Sequence, residues 1–337
     1  MTEGWARPLA GGPLAFAAIE AVARNPSGGA AAIRFPVGML AEFGRGRGTS
    51  DELTAEIERI AAPRAPWAGL PLDRPVIMGI LNVTPDSFSD DGAFFDPRRA
   101  IDHGHAMFEA GANIVDVGGE STRPGAEPIA PDEELRRVVP VIEALAGTGR
   151  LLSIDTRRAA VMRAALCAGA RIVNDVTALA GDPESMQVAS ETGAAVVLMH
   201  MAGEPRTMQD SPAYDDVALD VLDYLEARIA ACAAAGIPRE RLLVDPGIGF
   251  GKRAEHNVAL LRRIALFHAT GCGILLGVSR KAFIGKLSRN EAPPQRLSGS
   301  IAAALWAADR GVQAFRVHDV AETRQAFSMR QAILGLA

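Results

Sequence analysis

Eight short apolar runs, each closing on a polar or charged side chain, limit what this chain can fold into more than any other feature. From Val76 onward they end at Asn82, Asp116, Asp155, Asn174, His200, Asp245, Ser279 and the pair Arg316/His318. Between them lie Ala-, Leu- and Arg-rich stretches with helical spacing, including 161–168, 217–235, 256–269, 298–308 and 320–333. Strands that are almost wholly apolar and alternate with helices are parallel strands covered on both faces. An open doubly wound sheet shows the same alternation. Eight runs, with no Gly-x-Gly-x-x-Gly turn after the first, favour closure through right-handed crossovers instead. The expected fold class is therefore α/β, a (β/α)8 TIM barrel with an N-terminal appendage. In such a barrel the strand interiors are packed core, and the C-terminal strand ends build the active site. The residues at those ends have a chemical bias. Carboxylates and amides suit a heterocycle with N–H and carbonyl edges, and cations suit phosphate.

A barrel of this kind takes about 250 residues, and the chain has 337. Residues 71–337 are assigned to the barrel and 1–70 to the appendage. The appendage is apolar but interrupted by Gly and Pro; Thr49, Ser50 and Asp51 can cap one helix over 52–62, and 63–67 reads as a linker. Within the barrel, Asp96-Pro97 is a helix start and Gly111 a stop. Asp132 is expected to cap the next helix, with Glu133 and Glu134 in its first turn. A net charge of −5 gives no reason to expect nucleic acid as the main partner. Cys167, Cys232 and Cys272 are odd in number and far apart, so neither a disulfide framework nor a metal site is implied. The first residues lack a signal-peptide pattern, and no apolar run reaches the roughly 18 residues that span a bilayer. A soluble, cytoplasmic protein with no membrane partner is expected.

Three constellations carry chemistry. Two polar loops follow the first two runs and exceed a usual βα turn. One holds Asp86, Ser87, Asp90 and Asp91; the other holds Glu120, Thr122 and Arg123 between glycines. Long polar loops on a catalytic rim act as lids. The second constellation is Asp155, Asn174 and Asp245. A carboxylate among Ile, Leu and Val is costly unless paired, and its two oxygens can accept parallel N–H donors from a ring edge. Internal salt bridges stapling the barrel are the competing explanation. Asp116 and Asp175 are expected as supporting groups, and His200 as either a hydrogen-bonded structural residue or a catalyst. The third constellation is cationic: Lys281 after Ser279, with Arg316 and His318 alternating on the last run, where such barrels bind phosphate. Asn82 is a candidate oxygen ligand for Mg²⁺, an ion that keeps several waters and substrate oxygens. The stretch Gly247-Ile248-Gly249-Phe250-Gly251-Lys252 lacks the spacing of a phosphate-binding P-loop. Its glycines suit a sharp turn that presents Phe250 as a wall for a flat substrate.

The stretches MGILNVTPDSFSDDG, IVDVGGESTRPGA, SIDT, IVNDVT, MHMAGEPRTMQ, DPGIGFGK, GVSRKAFIG and RVHDV, in that order, resemble the dihydropteroate synthase family, which sulfonamide drugs target. The resemblance covers Val76 to about Ala337 and leaves out residues 1–70. It implies a (β/α)8 barrel and a homodimer. The implied enzyme is a transferase of folate biosynthesis that joins 6-hydroxymethyl-7,8-dihydropterin diphosphate to 4-aminobenzoate and releases pyrophosphate. Carried over, Asp155, Asn174, Asp245 and Lys281 hold the pterin, with Val176 and Met199 lining its slot. Asn82 touches Mg²⁺, and Arg316 with His318 holds the diphosphate. Thr122, Arg123 and Ser279 lie near the aminobenzoate, with Phe250 beside its ring. Asp155, Asp245, Lys281 and Arg316 are the catalytic set. The chain departs from the family pattern at Ser89-Asp90-Asp91-Gly92, where Ser-Asp-Gly-Gly is usual, and at Ala282-Phe283. Two other readings fit pterin-binding residues: a methyltetrahydrofolate–corrinoid methyltransferase domain, which would lack the diphosphate site, and a non-catalytic family member.

Overall fold

The computed structural model describes residues 6–39, 50–84, 96–121, 127–204 and 207–336. The N-terminal part folds as β1 (Arg7–Pro8) paired with β2 (Ala15–Phe16), then an antiparallel hairpin of β3 (Ala18–Arg24) and β4 (Ala30–Pro36), then helix α1 (Ser50–Ala61). The hairpin was not expected from the interrupted apolar pattern. Its connection, Asn25-Pro26-Ser27-Gly28-Gly29, uses two glycines at positive φ, which a tight reversal needs. Arg24 anchors the hairpin to the barrel through Asp220, at 2.6 Å, and Asp223.

The eight apolar runs form a closed ring of parallel strands. In chain order these are β5 (Val76–Asn82), β6 (Ile114–Gly118), β7 (Leu151–Asp155), β8 (Ile172–Asp175), β9 (Ala195–Met199), β10 (Leu242–Asp245), β11 (Gly273–Leu276) and β12 (Ala314–Val317). Each pairs with its sequence neighbours, and β12 returns to β5 with Ala314 opposite Val76. The covering helices are α2 (Pro97–Glu109), α3 (Pro131–Ala146), α4 (Ala159–Cys167), α5 (Ser185–Thr192), α6 (Val217–Ala234), α7 (Ala254–Arg262), α8 (Ala282–Lys286), α9 (Leu297–Ala308) and α10 (Val320–Ile333). The Asp96 side chain caps α2 by accepting the Arg98 N–H at 2.9 Å, with Pro97 in the first turn. At α3 the expected cap is displaced. Ala130 is the N-cap and Pro131 opens the helix, so Asp132 lies inside the acidic first turn.

Strand alternation divides the buried apolar residues into two cores. Val115, Val117, Ile154, Val173, Val196, Leu198, Val244 and Phe315 point outward beneath the helices. Val76, Met78, Ile114, Ile172, Ala195, Val197, Leu243, Leu275 and Ala314 fill the bore. Trp67 and Leu72 belong to the inner core. Trp67 is 1% exposed and donates its indole N–H to the Arg241 carbonyl at 3.0 Å. Arg64 donates to the carbonyls of Cys272 (3.2 Å) and His268 (3.1 Å). The segment 63–67, read as a linker, is thus packed onto the barrel. Its reach into the N-terminal end of the bore explains why a polar-looking Pro-Arg-Ala-Pro stretch ends in a buried tryptophan.

Candidate active site

Asn82, Gly118, Asp155 and Asn174 are register partners across β5, β6, β7 and β8 and make one row at the C-terminal end of the ring. One inward position lower, Asp116 stands opposite Ser153. Arg316 starts lower still, paired with Met78, and its long side chain rises to the row above. Its Nε donates to Asp116 Oδ2 at 2.6 Å, and its Nη2 donates to Asp155 Oδ2, also at 2.6 Å. Asn174 Nδ2 donates to the same Asp116 oxygen at 2.9 Å. Asp116 therefore joins the anionic and cationic residues into one buried network. The salt bridges considered as an alternative from sequence exist, and they sit at the mouth rather than running from bottom to top.

This crowding has electrostatic consequences. Burial pushes the Asp155 carboxyl up to about 7; Arg316 pulls against this, while Asp116, Glu134 and Asp175 add to it. Burial also raises Asp245, offset by the Gly247 N–H, Lys281, Lys252 and Arg316. Arg316 loses hydration by burial, yet Asp116 and Asp155 hold its pKa above the ordinary guanidinium range. Asp116 Oδ1 and Ser153 Oγ are buried and have no hydrogen-bond partner among the described residues. Acceptors left this way in a low-dielectric site favour any donor-bearing ligand or water that satisfies them.

Beside this network, Asp245 ends β10, in register with Met199 on β9. Asp245 Oδ1 accepts the Gly247 N–H at 2.8 Å and so starts the glycine turn. Gly247, Gly249 and Gly251 all have positive φ. A Cβ at Gly247 would collide with the His200 carbonyl, so the turn needs glycine there. The turn brings the Phe250 ring 4.0 Å beneath the Lys281 ammonium, in cation–π range. Ser279 Oγ accepts the His318 N–H at 3.1 Å and lies 3.0 Å from its Nδ1. The structure thus gathers Asp155, Asn174, Arg316, Asp245, Phe250, Lys281, Ser279 and His318 at one rim. Val176 is buried and keeps the inward parity of Asn174. Thr122 and Arg123, like Asp86, Ser87, Asp90 and Asp91, lie outside the described residues.

Two strand-end candidates face outward. Asp175 accepts from the Thr177 and Leu179 backbone N–H groups at 2.7 and 2.9 Å and from the Thr177 hydroxyl. His200 follows Met199 with opposite parity and packs edge-on against Tyr224 of α6, with ring centroids 4.9 Å apart. Other contacts that build the rim cannot be read from sequence. Arg280, at φ +58°, donates to both Asp319 oxygens and so ties the Ser279–Lys281 loop to the His318 turn. Glu120 accepts from Arg157, Arg158 and the Ile129 N–H, fastening the described ends of the second loop. A non-glycine residue in the left-handed region leaves no mark in sequence, and these partners are distant along the chain.

Such a barrel mouth, with carboxylates and an amide set against cations, defines the class of pterin-binding barrel enzymes, and the sequence model of the family described as "Pterin binding enzyme" matches residues 78–318. The dihydropteroate synthase of Escherichia coli K12 is 49% identical over 271 residues, covering 80% of this chain and 95% of that protein. That of Neisseria meningitidis serogroup B is 46% identical, covering 78% and 94%. The structure of Xanthomonas albilineans dihydropteroate synthase with 4-aminobenzoic acid superposes with a TM-score of 0.75 at 48% identity, covering 80% of this chain and 97% of that one. The Yersinia pestis enzyme with a sulfonamide drug complex gives 0.75 at 47%, covering 79% and 96%. The chain belongs to the dihydropteroate synthase family, a family of transferases in folate biosynthesis.

Proposed function

We propose that this mouth condenses 6-hydroxymethyl-7,8-dihydropterin diphosphate with 4-aminobenzoate to give 7,8-dihydropteroate and pyrophosphate. The observation that carries the assignment of roles is the shared network, in which a carboxylate-and-amide floor and the Arg316 guanidinium meet within hydrogen-bond distance. Asp155, Asn174 and Asp245 accept from and orient the donor-rich pterin, with Met199 and Val176 as its walls and Lys281 at its edge. Arg316 spends two N–H bonds on Asp116 and Asp155; a guanidinium has five, so others remain for diphosphate oxygens, together with His318. As the methylene C–O bond breaks, its electron pair leaves on the diphosphate oxygen. Positive charge then spreads into the pterin ring, where Asp155 and Asp245 stabilise it. The lone pair of the aminobenzoate amine forms the new C–N bond, and its proton leaves with pyrophosphate or solvent. Thr122, Arg123, Ser279 and Phe250 position that second substrate.

Asn82 suits Mg²⁺. Its half-buried carboxamide ends β5 at the rim and makes no side-chain hydrogen bond among the described residues. No group of three or more His, Cys, Asp or Glu among the described residues could hold a metal alone, which fits an ion kept mainly by substrate oxygens and water. Bound there, Mg²⁺ would neutralise charge on the departing diphosphate. We further propose a cytoplasmic homodimer. Exposed Trp306, Met329 and Ile333 on α9 and α10 support self-association, and no described helix is long and apolar enough to cross a membrane. Pyrophosphate release measured with both substrates and Mg²⁺ tests the reaction; no release above either substrate alone would overturn it.

A further inference from the structure

Lys252 closes the glycine turn and is not needed by the roles given above. It is 2% exposed and forms no ion pair among the described residues. Its ammonium instead has three neutral acceptors: His200 Nδ1 at 2.8 Å, the His200 carbonyl at 3.2 Å and the Phe250 carbonyl at 2.9 Å. Those three bonds use every donor of a lysine. Nδ1 can accept only if the imidazole is neutral with its proton on Nε2. Burial, then the Lys252 charge, keep it so by pushing His200 down to about 3. Burial pushes the Lys252 ammonium down to about 7, with the Asp245 charge pulling the other way; a cation held by neutral acceptors is costly, and a simple apolar residue would fill the same space. The remaining contacts of the turn show what the cation accomplishes. Asn257 Oδ1 takes the Gly249 N–H at 2.8 Å, Gln209 donates to the Gly249 carbonyl and Tyr214 to the Gly251 carbonyl, each at 2.7 Å. Only Lys252 holds the carbonyl of Phe250 itself among the described residues, and it ties that carbonyl to the end of β9.

We propose that Lys252, docked on neutral His200, is a positioning residue that sets the Phe250 ring against the aminobenzoate. The inference rests on the function proposed above and adds a determinant for one of its two substrates. The pterin floor is held mainly by its own contacts: Asp245 fixes the other end of the turn through Gly247, and the Lys252 charge reaches Asp245 only as one of several smaller influences on it. His200 acts as an acceptor in this arrangement, not as an acid or base.

The test compares Lys252→Met, His200→Asn and His200→Leu by steady-state kinetics in each substrate. Asparagine returns an acceptor near the place of Nδ1, whereas leucine keeps bulk and removes it. Lys252→Met and His200→Leu are expected to raise the KM for 4-aminobenzoate about tenfold, and the KM for the pterin diphosphate by no more than about twofold. His200→Asn is expected to stay close to the parent in both. If Lys252→Met does not fold, the two His200 variants decide. An asparagine variant as impaired as the leucine one, or both KM values rising together, overturns the proposal. Failure of the parent protein to release pyrophosphate sinks the assigned reaction instead, so the two failures are distinguishable.

Discussion

Replacing Asp116 by Asn tests the network most directly. The carboxylate oxygen Oδ2 accepts from Arg316 Nε and Asn174 Nδ2 at once. A carboxamide keeps the shape but loses the charge. The Arg316 contact then falls from a charged hydrogen bond, worth about 1.5–3 kcal/mol, to a mixed one, and Asn174 loses its anionic acceptor. Arg316 keeps Asp155 as a partner, so the penalty stays below the roughly 3–5 kcal/mol of stranding a buried charge. A net cost of about 1.5 kcal/mol in pterin binding, or roughly tenfold in Kd, is expected. Calorimetric titration with a pterin ligand reads the affinity, and pyrophosphate release at saturating pterin diphosphate reads the KM for aminobenzoate. That KM is expected to hold within about twofold, because Asp116 does not touch the Phe250–Lys281 side. Wild-type pterin affinity in Asp116→Asn, or a change confined to aminobenzoate, would refute the reasoning.

Other perturbations probe separate parts of the fold. Asp245→Ala removes the floor carboxylate that also starts the glycine turn, and a loss of about 2–4 kcal/mol in pterin binding is expected by calorimetry. Asp155 has a folded pKa raised to about 7, so the free enzyme binds a proton there that the unfolded chain gives up. Stability from this group is present at low pH and lost as pH rises through about 7. The Tm of the parent is therefore expected to fall relative to Asp155→Asn between about pH 4 and 7 and to level off above that, and parallel curves would count against it. Deleting residues 1–66 keeps Trp67 and is expected to leave measurable synthase activity. Trp67→Ala opens the inner core and is expected to cost about 3–5 kcal/mol in denaturant unfolding; the reverse ranking would place the barrel's dependence in the appendage.

The ring was legible because each of its strands is wrapped on both faces, and near-continuous apolar runs record that directly. The rim was legible in part because chemistry sits where those runs stop. Parity was the weak point. Asp155, Asn174, Asp245 and Arg316 face inward, but His200 and Asp175 sit one residue out of phase, and a run's last residue does not announce its side of the sheet. Trp67 was hidden in a Pro-flanked segment whose composition suits a linker, and its burial depends on a bore formed by strands far along the chain. In sequence, Lys252 stands out only as the tail of a glycine stretch that lacks phosphate-loop spacing. Its acceptors are two backbone carbonyls and an imidazole, and carbonyl partners leave no trace in residue type. Arg280 and Asp319 were invisible for a similar reason, since a contact between separate loops has no local spacing.

The row that carries Gly118, Asp155 and Asn174 belongs to three consecutive strands of an unbroken ring. Neighbouring strands stand about 4.8 Å apart, so peptide hydrogen bonding acts as the ruler that spaces these positions. Exchange of the groups on the row changes which molecular edges it can read. Changing the span between them would require prising the staves of the barrel apart.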